Sequence, residues 1–220
     1  MAIIKNGANG SVSGKAGSVV FVQTKQGNYV RGLPQINKNR TPSPEQLESR
    51  KRFKFVRESI CVILALIRRG FAQCNPPKRA YDCAMSYNLK EAVVKTEEGY
   101  ALDWEKFMIA KGLPNPLLSH QMDIDSEREI LQLRWTYDEQ LENKYSTRTY
   151  QTQVLLYPSE NDGIANCLTN DIHYSLSHSM QEVRLVKLSK PITYHVYVFF
   201  FARDGSNRST DSKYLGSLVY

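Results

Sequence analysis

The stretch that decides the fold reads Tyr194-His195-Val196-Tyr197-Val198-Phe199-Phe200-Phe201-Ala202. Successive side chains of a strand point to opposite faces, so a run that is apolar at odd and even positions alike predicts a strand buried on both faces. Asp204-Gly205 follows as a turn signal and leads into a final strand near residues 214–219. We interpret the run as the central strand of an antiparallel sheet.

Shorter runs upstream of this strand alternate apolar and polar residues. The alternating positions are Leu131, Leu133, Trp135 and Tyr137, then Tyr150, Thr152, Val154 and Leu156, then Val183 and Leu185. Short strands separated by Ser, Asn, Asp and Gly turns are typical of an antiparallel β-sandwich. The sequence therefore predicts an immunoglobulin- or fibronectin-like sandwich over residues 116–220.

A helical, basic region is predicted over residues 41–115. Ser43-Pro44-Glu45-Gln46 supplies a hydroxyl cap, a proline at the first helical position and an acid in the first turn. The helix should continue, with a bend, to Ile67 and end at Gly70. Its apolar stripe is Phe53, Val56, Ile60, Ile63, Leu64 and Ile67. Further helices are predicted over Ala80–Val94 and Asp103–Lys111.

The first 40 residues are predicted to form a glycine-rich arm. Residues 6–17 contain four glycines and no large side chain, which indicates an arm or a loop. Residues 18–23 and 28–31 then form a β-hairpin, which is marginal alone and must pair with something else. The residues expected to add strands to a neighbour are Gly14, Lys15, Gly17, Val19, Val20 and Phe21. The predicted fold class is α+β: a β-hairpin arm, a helical segment and the sandwich.

The net charge of +7 conceals an uneven distribution. Residues 1–79 hold 15 Lys or Arg and three acids, a charge of +12, while the remainder holds 14 bases and 19 acids, a charge of −5. A basic helix face can bind the phosphates of nucleic acid, bind a protein partner or simply be solvated. The residues concerned are Lys38, Arg40, Arg50, Lys51, Arg52, Lys54, Arg57, Arg68, Arg69, Lys78 and Arg79.

No catalytic, cofactor or metal site is predicted. Gly14-Lys15 lacks the spacing of a phosphate-binding loop and has Ala16 where that motif needs Ser or Thr. The four histidines have no metal-ligand spacing, and His195 is expected to be packed within its strand or at a sheet edge. The four cysteines form no CxxC pair, so we expect reduced, structural thiols, with Cys61 buried on the first helix.

The compartment predicted from the sequence is the cytoplasm, or a particle assembled there. Residues 1–7 lack the apolar run of a secretory signal. The longest apolar stretch, residues 60–67, is far shorter than the roughly 20 residues that span a bilayer. No membrane span is expected.

Several motifs together resemble a known family. They are Ile4-Lys5-Asn6-Gly7, Ser13-Gly14-Lys15-Ala16-Gly17-Ser18-Val19-Val20, Tyr29-Val30-Arg31, Thr41-Pro42-Ser43-Pro44-Glu45-Gln46, Arg52-Phe53 and Ser212-Lys213-Tyr214-Leu215-Gly216. The chain resembles, over essentially its whole length, a family of similar-sized proteins of unknown function from Bacteroidota. The resemblance implies a bacterial source and a two-part organisation, and it transfers no catalytic residue. The hairpin followed by the helix entry also resembles small phage-encoded structural proteins.

These observations favour a non-enzymatic structural or assembly protein. The hairpin is too small to be stable alone, so we expect it to bind partner subunits together with the basic helix, in a homo-oligomer or a larger, phage-like assembly. The alternative is a nucleic-acid-binding protein that uses the basic helix.

Overall fold

Two compact units make up the chain, Met1–Leu47 and Glu48–Tyr220. The computed structural model describes residues 2–4, 12–24, 27–34, 41–74, 79–97, 99–159 and 167–220. The fold is mixed α+β and mostly antiparallel β, as the sequence predicted. The division into 1–40, 41–115 and 116–220 stays a prediction.

The first unit carries a four-stranded antiparallel meander. Its strands are β1 (Ala2–Ile4), β2 (Val12–Ala16), β3 (Val19–Thr24) and β4 (Gly27–Gly32), paired in that order. The prediction of a loop or arm was therefore wrong for residues 12–16. Gly14 and Gly17 have φ angles of 104° and 57°. Glycine adopts such angles without steric cost, so the glycines that argued against a strand permit the strand and its turn.

Helix α1 (Pro44–Val62) begins in the first unit with the predicted cap. The backbone N–H of Gln46 donates to Ser43 Oγ at 3.2 Å, and the N–H of Ser43 donates back to Gln46 Oε1 at 3.4 Å. This reciprocal pair is a capping box. From Glu48 onward α1 belongs to the second unit. It bends at Ile63, as expected, and continues as α2 (Leu64–Gly70).

The remaining elements of the second unit form two larger sheets, a hairpin and two helices. They are α3 (Ala80–Glu91), β5 (Val93–Thr96), β6 (Gly99–Leu102), β7 (Leu117–Asp125), β8 (Ile130–Tyr137), α4 (Glu139–Tyr145), β9 (Gln151–Pro158), β10 (Leu168–Thr169), β11 (Met180–Arg184), β12 (Thr193–Phe201) and β13 (Lys213–Val219). One sheet has the order β10-β9-β12-β13 and the other β11-β8-β7, while β5 and β6 pair separately.

Strand β12 is buried on both faces, which confirms its prediction as a central strand. Tyr194, Val196, Val198 and Phe200 join a hydrophobic cluster with β8 and β11 of the three-stranded sheet. The alternate residues Tyr197, Phe199 and Phe201 join a second cluster with α1, α2 and α3. The four-stranded sheet therefore lies between a layer of helices and a second sheet.

Two helix predictions require correction. Residues 103–111 form one turn followed by irregular chain, because the amides after the turn bond to distant partners: Met108 N–H donates to Asn88 Oδ1 at 2.9 Å and Ile109 N–H to Ser212 Oγ at 3.1 Å. The helix predicted over residues 80–94 ends at Glu91, because Val93 and Val94 pair with β6. In both places nonlocal hydrogen bonds override the local helical pattern.

We predict that Phe199→Ala and Phe200→Ala each lower the free energy of unfolding by about 3–5 kcal/mol. The two residues are consecutive and fully buried, one against the helices and the other against the second sheet. Val219→Ala removes a side chain that is 62% exposed and serves as the control, with a change below about 0.5 kcal/mol. Urea denaturation measures all three. If only one phenylalanine matters, β12 is not buried on both faces.

Candidate functional site

The N-terminal sheet presents two faces of different chemistry. The register pairs Phe21 with Gly14 and Val30, and Val19 with Ala16 and Gly32. Residues directly opposite each other project on the same side. One side, the apolar arm face, therefore carries Val12, Ala16, Val19, Phe21 and Val30, with Gln23 and Asn28 at one end. The other side, the basic arm face, carries Lys15, Val20, Val22, Tyr29 and Arg31.

None of the described residues of this sheet between Val12 and Gly32 is buried. Strand β4 is exposed along its whole length, and Tyr29 and Val30 are 50% and 56% exposed. Every residue of the predicted strand-adding segment, Gly14, Lys15, Gly17, Val19, Val20 and Phe21, lies in this sheet or its turn. The apolar side chains of the arm thus stay accessible to a partner.

Part of the predicted basic surface lies along one side of α1. Arg50, Lys54 and Arg57 are spaced by four and three residues and are all exposed, with Lys51 beside them. Lys54 lies 3.8 Å from Glu58, in a pair open to solvent. Within the described part of the chain, Arg50 and Arg57 form no ion pair. We call Arg50, Lys54 and Arg57 the basic row.

Two of the predicted arginines bind other elements of the second unit. The Arg52 guanidinium donates to the carbonyl of Leu89, at the end of α3, and its Nε is buried. Arg69 lies over the ring of Phe201, 4.5 Å from its centre, and donates to Gln153 Oε1 at 2.5 Å. Neither role could be predicted from the sequence, because the partners lie more than 30 residues away.

The other predicted basic residues are scattered. Arg68 is exposed on α2, and Arg79 precedes α3, where its backbone N–H donates to Asp82. Lys38, Arg40 and Lys78 lie outside the described residues. The structure therefore brings together the basic row and Lys51 rather than the whole predicted set.

The cysteine predictions were largely wrong. Cys61 is exposed, one turn beyond Arg57 on the side of the basic row. Cys74 and Cys83 form a disulfide, with their Cα atoms 6.6 Å apart. Cys167 is free and half-buried, and burial raises the pKa of its thiol to about 11.

His195 belongs to an aromatic cluster between β12, β13 and the 103–108 turn. Its ring stacks on Trp104 with centres 3.8 Å apart, and its Nδ1 lies 2.9 Å from the Tyr214 hydroxyl. The Tyr197 hydroxyl donates to the Trp104 carbonyl at 2.6 Å. His195 is 8% exposed, which confirms the prediction of a packed residue. Burial lowers the pKa of His195, so the cluster holds a neutral imidazole.

Among the described residues, no three His, Cys, Asp or Glu side chains come close enough together to hold a metal ion. None of the described helices combines the length and the apolarity needed to cross a bilayer. The cytoplasmic location stays a prediction.

Most of the chain matches one protein-family model. A family model described as a family of unknown function, DUF6266, matches residues 11–216. The chain belongs to the DUF6266 family. The match includes most of the arm sheet, the basic row and the aromatic cluster, so these are parts of one DUF6266 chain. The search of curated proteins found no match. The Bacteroidota origin stays a prediction.

We predict that His195 makes stability pH-dependent. The pKa of His195 in the folded state lies below the ordinary 6.5 of the unfolded chain. As the pH falls through 6.5, the unfolded chain therefore binds more protons than the folded chain, and the free energy of unfolding decreases. His195→Phe keeps an aromatic ring on Trp104 but cannot titrate. Urea unfolding at about pH 8 and about pH 5 should therefore give a smaller loss for His195→Phe than for the unmodified chain. Equal losses would contradict the prediction.

Proposed function

We propose that this chain is a non-enzymatic assembly protein whose N-terminal sheet binds a second copy of the chain. One observation carries the proposal: between Val12 and Gly32, no described residue of a four-stranded sheet is buried. A sheet with an apolar face must bury that face against another element. A partner that covers the sheet supplies that packing.

The apolar arm face is the better candidate for the contact. Gly14 lies opposite Phe21, and Gly32 lies opposite Val19. Because glycine has no side chain, these neighbours leave the apolar surfaces of Phe21 and Val19 open. On the basic arm face, Val20 lies between Lys15 and Arg31, whose charges would have to be desolvated by a covering partner. Exposed apolar patches of this kind mark interaction sites.

Charge complementarity favours a second copy as the occupant. The described residues 12–24 and 27–34 include Lys15 and Arg31 and no acid. Residues 80–220 carry an excess of five acids, and Asp123, Asp125 and Glu127 lie around the accessible end of the β7–β8 hairpin. Opposite charges of this kind steer a basic arm toward the acidic part of a neighbouring copy.

The architecture of the two larger sheets is also part of our proposal. We infer an immunoglobulin- or fibronectin-like sandwich from the two antiparallel sheets, of four and three strands, that share one apolar cluster. The helices on the outer face of the four-stranded sheet are an addition to that architecture. A phage-like particle as the final assembly stays a prediction.

We predict that Val19→Thr with Phe21→Thr shifts the chain from an oligomer toward the 25.2 kDa monomer. Threonine keeps strand propensity and charge but removes apolar surface from the apolar arm face. Each buried side chain of this size contributes about 1.5–3 kcal/mol, so the dissociation constant should rise by more than about tenfold. Light scattering over a concentration series measures the mass.

The matched control is Val20→Thr with Val22→Thr, on the same strand but the opposite face. It should keep the oligomer. Both double variants should keep the thermal unfolding of the second unit, whose hydrophobic clusters involve no described residue before Phe55. A monomeric unmodified chain at every concentration, or equal dissociation of both variants, would remove the basis of the proposal.

Nucleic-acid binding is the second candidate, favoured by the basic row. Three exposed cations at helical spacing can follow a phosphate backbone, and Phe53, 48% exposed on the same helix, can stack on a base. Arg52 is left out of this surface because it binds Leu89 within the fold.

We predict that Arg50→Glu, Lys54→Glu and Arg57→Glu together abolish binding to single-stranded DNA and RNA, if nucleic acid is the ligand. Fluorescence anisotropy at several salt concentrations measures affinity, and each lost phosphate contact removes about 0.7 from the salt slope. The control carries the same charge change on Arg148, Lys187 and Lys190, which are exposed elsewhere in the second unit. An equal loss of affinity in the two variants would show that binding depends on the overall charge and not on the basic row.

A further inference from the structure

A cleft of about 380 Å³ lies between the C-terminal end of α2 and the loop that joins β12 to β13. Three arginines from two separate parts of the chain converge on it, and no acidic residue lines it. The residues that line the cleft include Arg68, Arg69, Phe201, Asn207 and Arg208.

Arg69 is held in place at this cleft. Its guanidinium lies over the Phe201 ring and donates to Gln153 Oε1. Gln153 is 2% exposed, and its Nε2 donates to Asn170 Oδ1 at 3.0 Å. Asn170 is itself buried and donates to the carbonyls of Thr152 and Ile172. A buried hydrogen-bond network therefore fixes Arg69, so little side-chain entropy remains to be lost on binding.

The loop that carries Arg208 is also fixed. Ala202 N–H donates to the Arg208 carbonyl at 2.8 Å, which closes the loop at its base. Asn207 adopts a φ of 57°, the left-handed conformation that Asn tolerates. Ser209, the residue after Arg208, donates from its hydroxyl to the carbonyl of Gly70 at 2.8 Å. This bond ties the loop to the end of α2 and so fixes Arg208 relative to Arg68 and Arg69.

The arginines of the cleft have no directly paired counter-charge among the described residues. The end of a helix favours cations, which accounts for Arg68 and Arg69 in the last turn of α2. It does not account for Arg208, which comes from another element. The pKa of the nearby Asp204 carboxylate is lowered mainly by hydrogen bonding from the Ser206 side chain, then from the Ser206 backbone N–H at 2.8 Å, and to a smaller extent by the charge of Arg208. None of the three guanidinium groups forms an ion pair with a described carboxylate.

We propose that this cleft binds the terminal phosphate of a phosphomonoester. A carboxylate is satisfied by one planar guanidinium, whereas a phosphate dianion presents three oxygens in a tetrahedral arrangement that several arginines can share. The ligand carries its phosphate into the cleft, and the rest of it extends to solvent past Asn207. This site is separate from the arm sheet and does not depend on the assembly proposal.

Isothermal titration calorimetry of the full chain with phenyl phosphate tests the site, with phenyl sulfate as the matched monoanion. Phenyl phosphate should bind, and Arg208→Ala should weaken it by about tenfold or more. Arg208→Lys should weaken it less, because it keeps the charge but loses the forked donor. Affinity should fall as the pH drops through about 6, where phosphate gains a proton, while the response to phenyl sulfate stays flat.

Arg148→Ala removes an exposed arginine outside the cleft and should leave phenyl phosphate binding unchanged. Oligothymidylate with and without a 5′-phosphate separates a nucleic-acid end from a small ligand: a preference for the phosphorylated form extends the proposal to such ends. The proposal is overturned if phenyl phosphate does not bind at low salt, or if Arg148→Ala weakens it as much as Arg208→Ala. It is equally overturned if oligothymidylate binds regardless of its 5′-phosphate while phenyl phosphate does not.

Discussion

The burial of both faces of β12 is the constraint on which the rest of the second unit depends. The strand pairs with β9 on one side and β13 on the other, so its backbone hydrogen bonds are satisfied within the sheet. Its even-numbered residues then require a second sheet, and its odd-numbered residues require helices. The order of layers follows from this one strand, because an apolar face left in water would cost about 1.5–3 kcal/mol per large side chain.

The arm sheet has the opposite character. It satisfies its backbone in four paired strands, yet it buries none of its described side chains between Val12 and Gly32. The second unit completes two hydrophobic clusters without it. This contrast is the basis of our proposal that a neighbouring copy of the chain supplies the packing that the arm sheet lacks.

The basic residues illustrate how tertiary structure redistributes charge. In the sequence, the excess of cations before residue 80 looks like one surface. In the structure, Arg52 and Arg69 support the packing of α3 and β12, while Arg50, Lys54 and Arg57 stay on the outside. The arginine cleft contains Arg208, which belongs to the segment with net negative charge. Regional net charge therefore located the basic row but could not have located the cleft.

The sequence by itself determined the elements whose signals are local. The alternation in β8 and β9, the doubly apolar β12 and the cap of α1 each reflect neighbouring residues along one strand or one turn. Only the tertiary structure decided the irregular course of residues 103–111, the strand at Val12–Ala16, the Cys74–Cys83 bond and the convergence of Arg68, Arg69 and Arg208. Each of these depends on partners that are distant in the chain or on a glycine conformation, and neither hydrophobic periodicity nor local composition records which distant residues will meet.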